Sequence, residues 1–369
     1  MKNLKVTLCL LIALFPCLTI AAVNVGIAKL DLNDGQRMAW DGKHQRPITV
    51  HVFYPTHVTP PTPIKLGLPG EELFAAGNAI WHATPAEEKK LPLILMSHGT
   101  GGSALQMLWL AEKLVKNGYL VVGINHHGNT AIEPKTYAEG FVLWWERSRD
   151  VAVVLEQISN DKKWSPYIDP TNIGMLGFSL GGYTTIAAIG GITDKARFTK
   201  FCNSDKRDFT CDSQVEFPNI EEEFNKVKDS EIVKASLKRQ HDSYKIDQIK
   251  AAVVLSPAVV QSITDDSLKG ITIPVSAIVG TQDTVAPAEA NAKRVASLVS
   301  GAEYAEIEGA GHYTFLAECT DLGKAYVKTL CTDPPTVDRA QVHDRVGGQV
   351  LSFFNRTFSY NKALHQTSR

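Results

Sequence analysis

The pentapeptide Gly177-Phe178-Ser179-Leu180-Gly181 constrains the fold of this chain more than any other segment. It follows an apolar run at residues 172–176 that is typical of a buried parallel strand, and it precedes residues 182–188, which are typical of a helix. Glycines two residues before and after a serine are needed where a turn brings a strand and a helix too close for side chains. The segment therefore predicts that the hydroxyl of Ser179 stands above the carboxyl edge of a sheet as a candidate nucleophile.

A serine hydroxyl is a poor nucleophile until a base accepts its proton, and the sequence offers a base and an acid downstream. Residues 273–280 are typical of a strand and are followed by Asp283, while residues 302–307 are typical of a last strand and are followed by His312. At that edge of the sheet, His312 would accept the proton of Ser179 and Asp283 would hold the imidazole in the required tautomer. The glutamates nearest to the histidine are weaker candidates for the acid: Glu303, Glu306 and Glu308.

A glycine-rich loop at residues 97–103 follows another apolar run and is the expected anion site for a tetrahedral intermediate. One N–H donor should belong to Leu180, directly after the nucleophile, and the other to this loop. We assign the second donor to Thr100, with Gly101 as the next choice. His98 is expected to brace the loop rather than to take part in chemistry. The loop lacks the Lys-Ser/Thr ending of a phosphate-binding loop, so it predicts no nucleotide site.

The chain resembles the α/β-hydrolase superfamily in four motifs: residues 97–102, residues 177–182, Gly280-Thr281-Gln282-Asp283 and Gly309-Ala310-Gly311-His312. More narrowly, the chain resembles the bacterial proteins called predicted dienelactone hydrolases, which are relatives of platelet-activating factor acetylhydrolases; the likeness includes residues 46–56 and Arg149-Asp150-Val151. The resemblance covers roughly residues 25–357. It implies an α/β fold with a mostly parallel central sheet, helices on both faces, antiparallel strands at the amino terminus and a helical cap.

Two departures from these relatives narrow the expected reaction. Dienelactone hydrolases use a cysteine nucleophile, whereas this chain has Ser179. The platelet-activating factor enzymes of animals take their acid from the loop after the preceding strand, but that loop here is Ser256-Pro257-Ala258, which favours Asp283. The resemblance thus implies hydrolysis of carboxylic esters. The expected reaction is a serine acyl-enzyme that needs no cofactor or metal, because N–H donors hold the anion and His312 activates the nucleophile. The alternatives are lipase- or phospholipase-type deacylation of lipids and a catalytically silent binding module; a complete Ser-Asp-His set argues against the silent module.

The amino terminus has the composition of a secretory signal peptide. Two lysines precede an apolar stretch from Val6 to Ile20, and Ala21-Ala22 supply the small residues suited to cleavage. We interpret residues 1–22 as the signal and residues 23–369 as one α/β-hydrolase domain, exported to the periplasm or the medium without stable membrane insertion. A lipid anchor at Cys17 is the less favoured alternative, because bulky residues precede it.

Four cysteines remain beyond the signal, in two close pairs. In an oxidising compartment they suggest the disulfides Cys202–Cys211 and Cys319–Cys331, although four cysteines permit three connectivities. A zinc site is the competing interpretation. It is disfavoured because the spacings are longer than zinc motifs prefer and no histidine lies within four residues of any of these cysteines.

The remaining features concern the substrate. Residues 192–250 are charged and compatible with helices, which predicts a cap insertion or a solvated excursion, and residues 59–70 are expected to form a loop. The aromatic residues near the motifs are candidates for a substrate pocket: Trp144, Trp145, Phe178 and Tyr313. A formal net charge of −1 and the lack of a long basic run exclude nucleic acid as an expected partner. The expected partner is a small-molecule or lipid ester.

Overall fold

The computed structural model of the protein describes residues 22–367, so nearly all of the predicted signal peptide, including Cys17, lies outside the described residues. Eleven strands occur in this part of the chain: β1 Asn24–Met38, β2 Gln45–Thr56, β3 Thr62–Leu68, β4 Glu71–Trp81, β5 Leu91–Ser97, β6 Leu120–Asn125, β7 Ile168–Phe178, β8 Ile249–Leu255, β9 Val275–Gly280, β10 Glu303–Ile307 and β11 Glu318–Cys319.

The same part of the chain contains twelve α-helices: α1 Leu108–Val115, α2 Ala138–Val142, α3 Glu146–Asn160, α4 Leu180–Ala188, α5 Lys195–Cys202, α6 Ile220–Val227, α7 Glu231–Lys238, α8 Asp265–Lys269, α9 Ala292–Leu298, α10 Asp321–Tyr326, α11 Lys328–Cys331 and α12 Arg339–Thr367. The helices alternate with the strands from β5 onward. This alternation is what a parallel sheet requires, because each parallel pair needs a crossover connection.

The strands form one sheet in the order β10-β9-β8-β7-β5-β6-β2-β1-β4-β11, with β3 added beside β4. The six strands from β6 to β10 in this order run parallel, whereas β2 is antiparallel to both β6 and β1. The inner parallel strands, such as β6 and β9, are buried on both faces, which explains why they read as continuous apolar runs, whereas β10 at the edge of the sheet is partly exposed. The predicted fold class, including the antiparallel amino-terminal strands, is confirmed.

Two apolar cores lie on the two faces of this sheet. One contains side chains of α3, α4 and α9, including Val154 and Val295. The other contains side chains of α1 and α12, including Leu110 and Phe354. Because helices cover both faces, the carboxyl ends of the parallel strands form an edge at which polar loops can gather.

The prediction of a loop at residues 59–70 is wrong, because this segment contains β3. β3 pairs with β4 through a turn at Gly70, whose φ is +83°. Pro63 lies within β3 and cannot donate to a ladder, but β3 is an edge strand, where a missing donor is tolerated. The proline and glycine content therefore marks an edge hairpin.

Both predicted cysteine pairs are disulfides in the structure. Cys202 and Cys211 lie at the end of α5 and in a short 3-10 helix of the 192–250 segment. Cys319 and Cys331 join β11 to α11. Within residues 22–367, the structure contains no helix long and apolar enough to cross a membrane.

Candidate active site

Ser179 occupies a sharp turn between β7 and α4. Its φ and ψ are 54° and −120°, a conformation that L-residues rarely adopt. The turn closes because the flanking positions are glycines: a Cβ at Gly177 would lie 1.9 Å from the carbonyl oxygen of Gly181, and one at Gly181 would lie 2.0 Å from that of Ser97. The N–H of Ser179 donates to the carbonyl of Leu255 at 2.9 Å, which ties the turn to the neighbouring strand.

The turns that carry Asp283 and His312 are held together by their backbones. The N–H of Thr281 donates to Ile307 at 3.0 Å, and the N–H of Gln282 donates to Ala310 at 2.9 Å. Gly280 permits this approach, because a Cβ there would lie 2.1 Å from the carbonyl oxygen of Ala310. The loops that leave β9 and β10 therefore converge at the sheet edge above Ser179.

The structure brings the three predicted triad side chains into one hydrogen-bonded line. His312 Nε2 lies 2.9 Å from Ser179 Oγ, and His312 Nδ1 lies 2.8 Å from Asp283 Oδ2. The second carboxylate oxygen of Asp283 accepts the N–H of Ala286 at 2.7 Å, which orients the acid. All three side chains are buried. This line permits the serine proton to pass to Nε2 while Nδ1–H remains on the carboxylate.

The glutamates that competed with Asp283 point elsewhere. Glu303 pairs with Arg356, and Glu306 lies near Lys293 and accepts the hydroxyl of Tyr304. Glu308 is exposed. Asp283 is therefore the acid in contact with His312 in the described part of the chain.

Two backbone N–H groups at the serine lack a hydrogen-bond partner among the described residues: those of Leu180 and Thr100. Both residues line the same cavity as Ser179. The rival donor is occupied, because the N–H of Gly101 donates to the side chain of Asn129 at 2.6 Å. Leu180 begins α4, where the first N–H groups of a helix are left free. The two free donors are the ones that the sequence predicts for an anion site.

His98 braces the glycine-rich loop. Its Nδ1 donates to the carbonyl of Gly99 at 2.6 Å, and its Nε2 accepts the N–H of His126 at 3.2 Å. Burial holds the pKa of His98 well below the ordinary value of histidine. A neutral imidazole with both nitrogens engaged in this way has no free atom for catalysis.

A buried ionic network supports the same loop, and the sequence analysis did not identify it as a unit. Arg147 donates to the carbonyl of His98 and, at 3.0 Å, to the hydroxyl of Thr184 in α4. His126 donates to Asp150 at 3.0 Å and accepts the hydroxyl of Ser97 at 2.9 Å. The sequence shows the Arg149-Asp150 pair near the start of α3. It gives no indication that Asp150 is buried, because the apolar pattern of a helix does not reveal buried charges.

Asp150 is the centre of this network. It is fully buried and accepts hydrogen bonds from Arg46 at 2.8 Å and from Arg37 at 2.6 Å. Burial by itself would raise the pKa of Asp150, but Arg46, Arg37 and the hydrogen bond from His126 hold it well below its ordinary value. Burial lowers the pKa of Arg147 to about 9, partly offset by the charge of Asp150. The network that supports the glycine-rich loop is therefore centred on the charged carboxylate of Asp150.

A cavity of about 160 Å³ opens at Ser179. Trp144 lines it, as the sequence predicts, but the other three predicted pocket residues do not. Trp145 is fully buried, and its indole N–H donates to the hydroxyl of Ser236 in α7 at 3.0 Å. Its side chain therefore points toward α7 and away from the cavity. Phe178 packs against the ring of His312 from within the core, and Tyr313 makes an edge-to-face contact with His312. The rings that the sequence analysis missed are Phe141, Phe198 and Phe217.

The 192–250 segment supplies much of the cavity wall, including Phe198, Thr210 and Phe217. It is attached to the domain at several points. Ser236 donates to Glu146 at 2.6 Å, and Glu216 accepts the hydroxyl of Tyr313 at 3.5 Å, next to His312. The segment therefore contacts the walls of the site and is more than a solvated excursion.

A comparison with protein families matches residues 87–221 to a family described as "Putative serine esterase (DUF676)". The match includes the glycine-rich loop and Ser179, although it spans less than half of the chain. The chain is a serine ester hydrolase. The fold agrees with a solved structure, a ferulic acid esterase from Streptomyces cinnamoneus, at a TM-score of 0.59 and 17% identity, over 92% of this chain and 91% of that one. A search of curated proteins finds no match.

Proposed function

We propose that the protein hydrolyses carboxylic esters through an acyl-enzyme on Ser179, with His312 as the general base and Asp283 as its orienting acid. The observation that carries the proposal is the pair of hydrogen bonds, 2.9 Å and 2.8 Å, that joins the three side chains. A binding module would have no need for all three groups in this line.

In the acylation step, Ser179 Oγ attacks the ester carbonyl carbon as its proton moves to His312 Nε2. The carbonyl oxygen becomes an oxyanion and accepts the N–H groups of Leu180 and Thr100, which are free to receive it. One such donor contributes about 3–4 kcal/mol to lowering the barrier. His312 then returns the proton to the leaving alcohol oxygen, and the C–O bond of the ester breaks.

In the deacylation step, a water molecule takes the place of the alcohol. His312 accepts a proton from the water, and the oxygen attacks the acyl carbon of the Ser179 ester. The second tetrahedral intermediate collapses to the carboxylic acid, and the proton returns from His312 to Ser179 Oγ. Asp283 remains ionised throughout and stabilises the imidazolium that forms twice. Water is the only co-reactant in this sequence.

Protein labelling separates an active esterase from a silent scaffold. A fluorophosphonate probe should label Ser179 in the wild type and leave Ser179→Ala unlabelled, and Ser297→Ala, at an exposed position in α9, should label normally. Ser179→Ala and His312→Ala should each lower ester turnover by about 10⁴- to 10⁶-fold, and Asp283→Asn by about 10⁴-fold. Near-normal turnover by Asp283→Asn would show that the acid is misassigned.

We further propose that the protein is exported and that residues 192–250 form a cap over the site. The two disulfides support export, because such bonds persist in oxidising compartments. The contacts of Phe198, Phe217 and Glu216 with the site walls support the cap. Amino-terminal sequencing of protein recovered outside the cytoplasm should begin at Val23; a sequence that begins at Met1 would contradict the signal peptide.

A further inference from the structure

The cavity at Ser179 lies on one side of the reacting bond. It is lined near the serine by Thr100 and Leu180 and, after β8, by Ala258-Val259. Val285, in the loop after β9, also lines it, whereas no residue of the 309–315 loop does. If the protein acts as proposed above, His312 must deliver a proton to the leaving oxygen, so the alcohol half of the ester lies beside His312. The cavity therefore lies where the acyl half would bind.

The size of the cavity determines how much of that acyl group it can enclose. Its volume is about 160 Å³. An apolar protein cavity of roughly 150 Å³ accommodates one benzene molecule. The chain of a long-chain fatty acid contains many more carbon atoms than one ring, so most of it would lie outside this cavity. The cavity thus fits one six-membered ring or a chain of similar volume.

The lining distinguishes a ring from a chain. Four aromatic side chains contribute to the wall in two edge-to-face pairs, Phe141 with Phe217 and Trp144 with Phe198, at centroid distances of 4.9 Å and 5.2 Å. Rings prefer such edge-to-face and offset contacts with other rings, which a flexible alkyl chain cannot supply. Each pair joins a ring from residues 138–144 to one from the 192–250 segment, so the segment completes the wall.

We propose that this cavity is an acyl-binding site selective for esters whose acyl group is a single aromatic ring, and that Phe217 is a specificity-determining residue. Phe217 packs on Phe141 and lies one residue after Glu216, which contacts the residue beside His312. Removing its ring opens the wall of the cavity without touching Ser179 or the two free N–H donors.

The test uses nitrophenyl acetate, hexanoate, benzoate and decanoate, which share one leaving group. Each kcat/KM is divided by the rate constant for alkaline hydrolysis of the same ester. In the wild type, this ratio should be about 10- to 100-fold higher for benzoate than for acetate, the range expected for burial of one aromatic side chain. Hexanoate should fall between these two, and decanoate should lie below benzoate.

Variants then test the role of Phe217. Phe217→Ala should lower the ratio of the benzoate value to the acetate value by about 10-fold, in line with a group that contacts larger acyl substituents. Phe217→Leu retains most of the volume, so it separates loss of the ring from collapse of the wall. Phe209→Ala is the matched control, because Phe209 belongs to the same segment but is 61% exposed and does not line the cavity. Thermal unfolding verifies that each variant folds.

Higher normalised activity on hexanoate or decanoate than on benzoate would overturn the proposal. So would equal losses on acetate and benzoate in folded Phe217→Ala, since that pattern indicates a structural role. Failure of the proposed function looks different: no ester in the series would be hydrolysed and the fluorophosphonate probe would leave Ser179 unlabelled.

Discussion

Gly181→Ala should inactivate the protein, although alanine favours helices. Gly181 lies in the first turn of α4, where the exchange would gain roughly 1 kcal/mol of helix propensity. The new Cβ, however, would lie 2.0 Å from the carbonyl oxygen of Ser97 and 2.8 Å from that of His98. Real Cβ contacts are not shorter than 3.0 Å, so helix and loop must separate by about 1 Å.

This separation acts directly on the proposed anion site, because Leu180 lies on one side of the contact and Thr100 on the other. A displacement of about 1 Å in an active site costs roughly 100-fold in rate. We therefore expect kcat/KM to fall by about 10²- to 10³-fold, the range found when one oxyanion donor is lost. Overpacking should also reduce the free energy of unfolding by about 1–3 kcal/mol.

The assay is ester hydrolysis at a temperature where the variant is folded, with active sites counted by the fluorophosphonate probe. Gly348→Ala in α12 is the matched control, because a Cβ at Gly348 meets no atom within 4 Å. It should keep full activity and gain about 0.5–1 kcal/mol of stability. If Gly181→Ala retained more than one tenth of wild-type kcat/KM, the close approach of α4 and the loop would not be what positions the donors.

Three further predictions follow from the buried charges and the disulfides. Asp150→Asn leaves Arg46 without its buried counter-charge and removes one of the three buried carboxylates that pair with Arg37, so it should lower the urea-unfolding free energy by about 3–5 kcal/mol. Glu231→Gln, in an exposed ion pair, should change it by less than about 1 kcal/mol, and equal effects would contradict a central role for Asp150. Burial lowers the pKa of His126 to about 3 and that of His343 to about 4, so both histidines gain protons on unfolding below about pH 6.5. The free energy of unfolding should therefore fall between pH 6.5 and pH 4 by up to about 1.4 kcal/mol per pH unit for each histidine. A flat profile would contradict their burial as neutral groups. Replacing Cys202 and Cys211 by serine should lower the selectivity for benzoate over acetate, because Cys211 lines the cavity. The same change at Cys319 and Cys331 should lower stability without altering selectivity. Identical selectivities in the two variants would refute a link between the first disulfide and the cavity.

Much of the fold could be predicted because its signals are local. The runs before Ser179 and Asp283 are apolar over consecutive residues, as parallel strands buried on both faces must be. The strand before His312 lies at the edge of the sheet and contains two glutamates. β3 was not predicted because it is an edge strand. Such a strand needs fewer N–H donors and tolerates prolines and glycines, which are typical of a loop in sequence. The three cavity rings that the sequence did not predict, Phe141, Phe198 and Phe217, lie far apart along the chain, and no sequence pattern joins them.

The turn at Ser179 follows from the sequence alone, because the two glycines and the order strand-turn-helix are properties of adjacent residues. The sequence also identifies Asp283 and His312 as candidates, since both follow strands whose carboxyl ends share one edge. Folding, in contrast, buries Trp145 in the core and places Trp144 at the cavity, engages the N–H of Gly101 with Asn129, and pairs Asp150 with Arg46 and Arg37. Which side a ring faces and which donor stays free depend on groups that folding brings together from distant segments, and no local pattern encodes those distances.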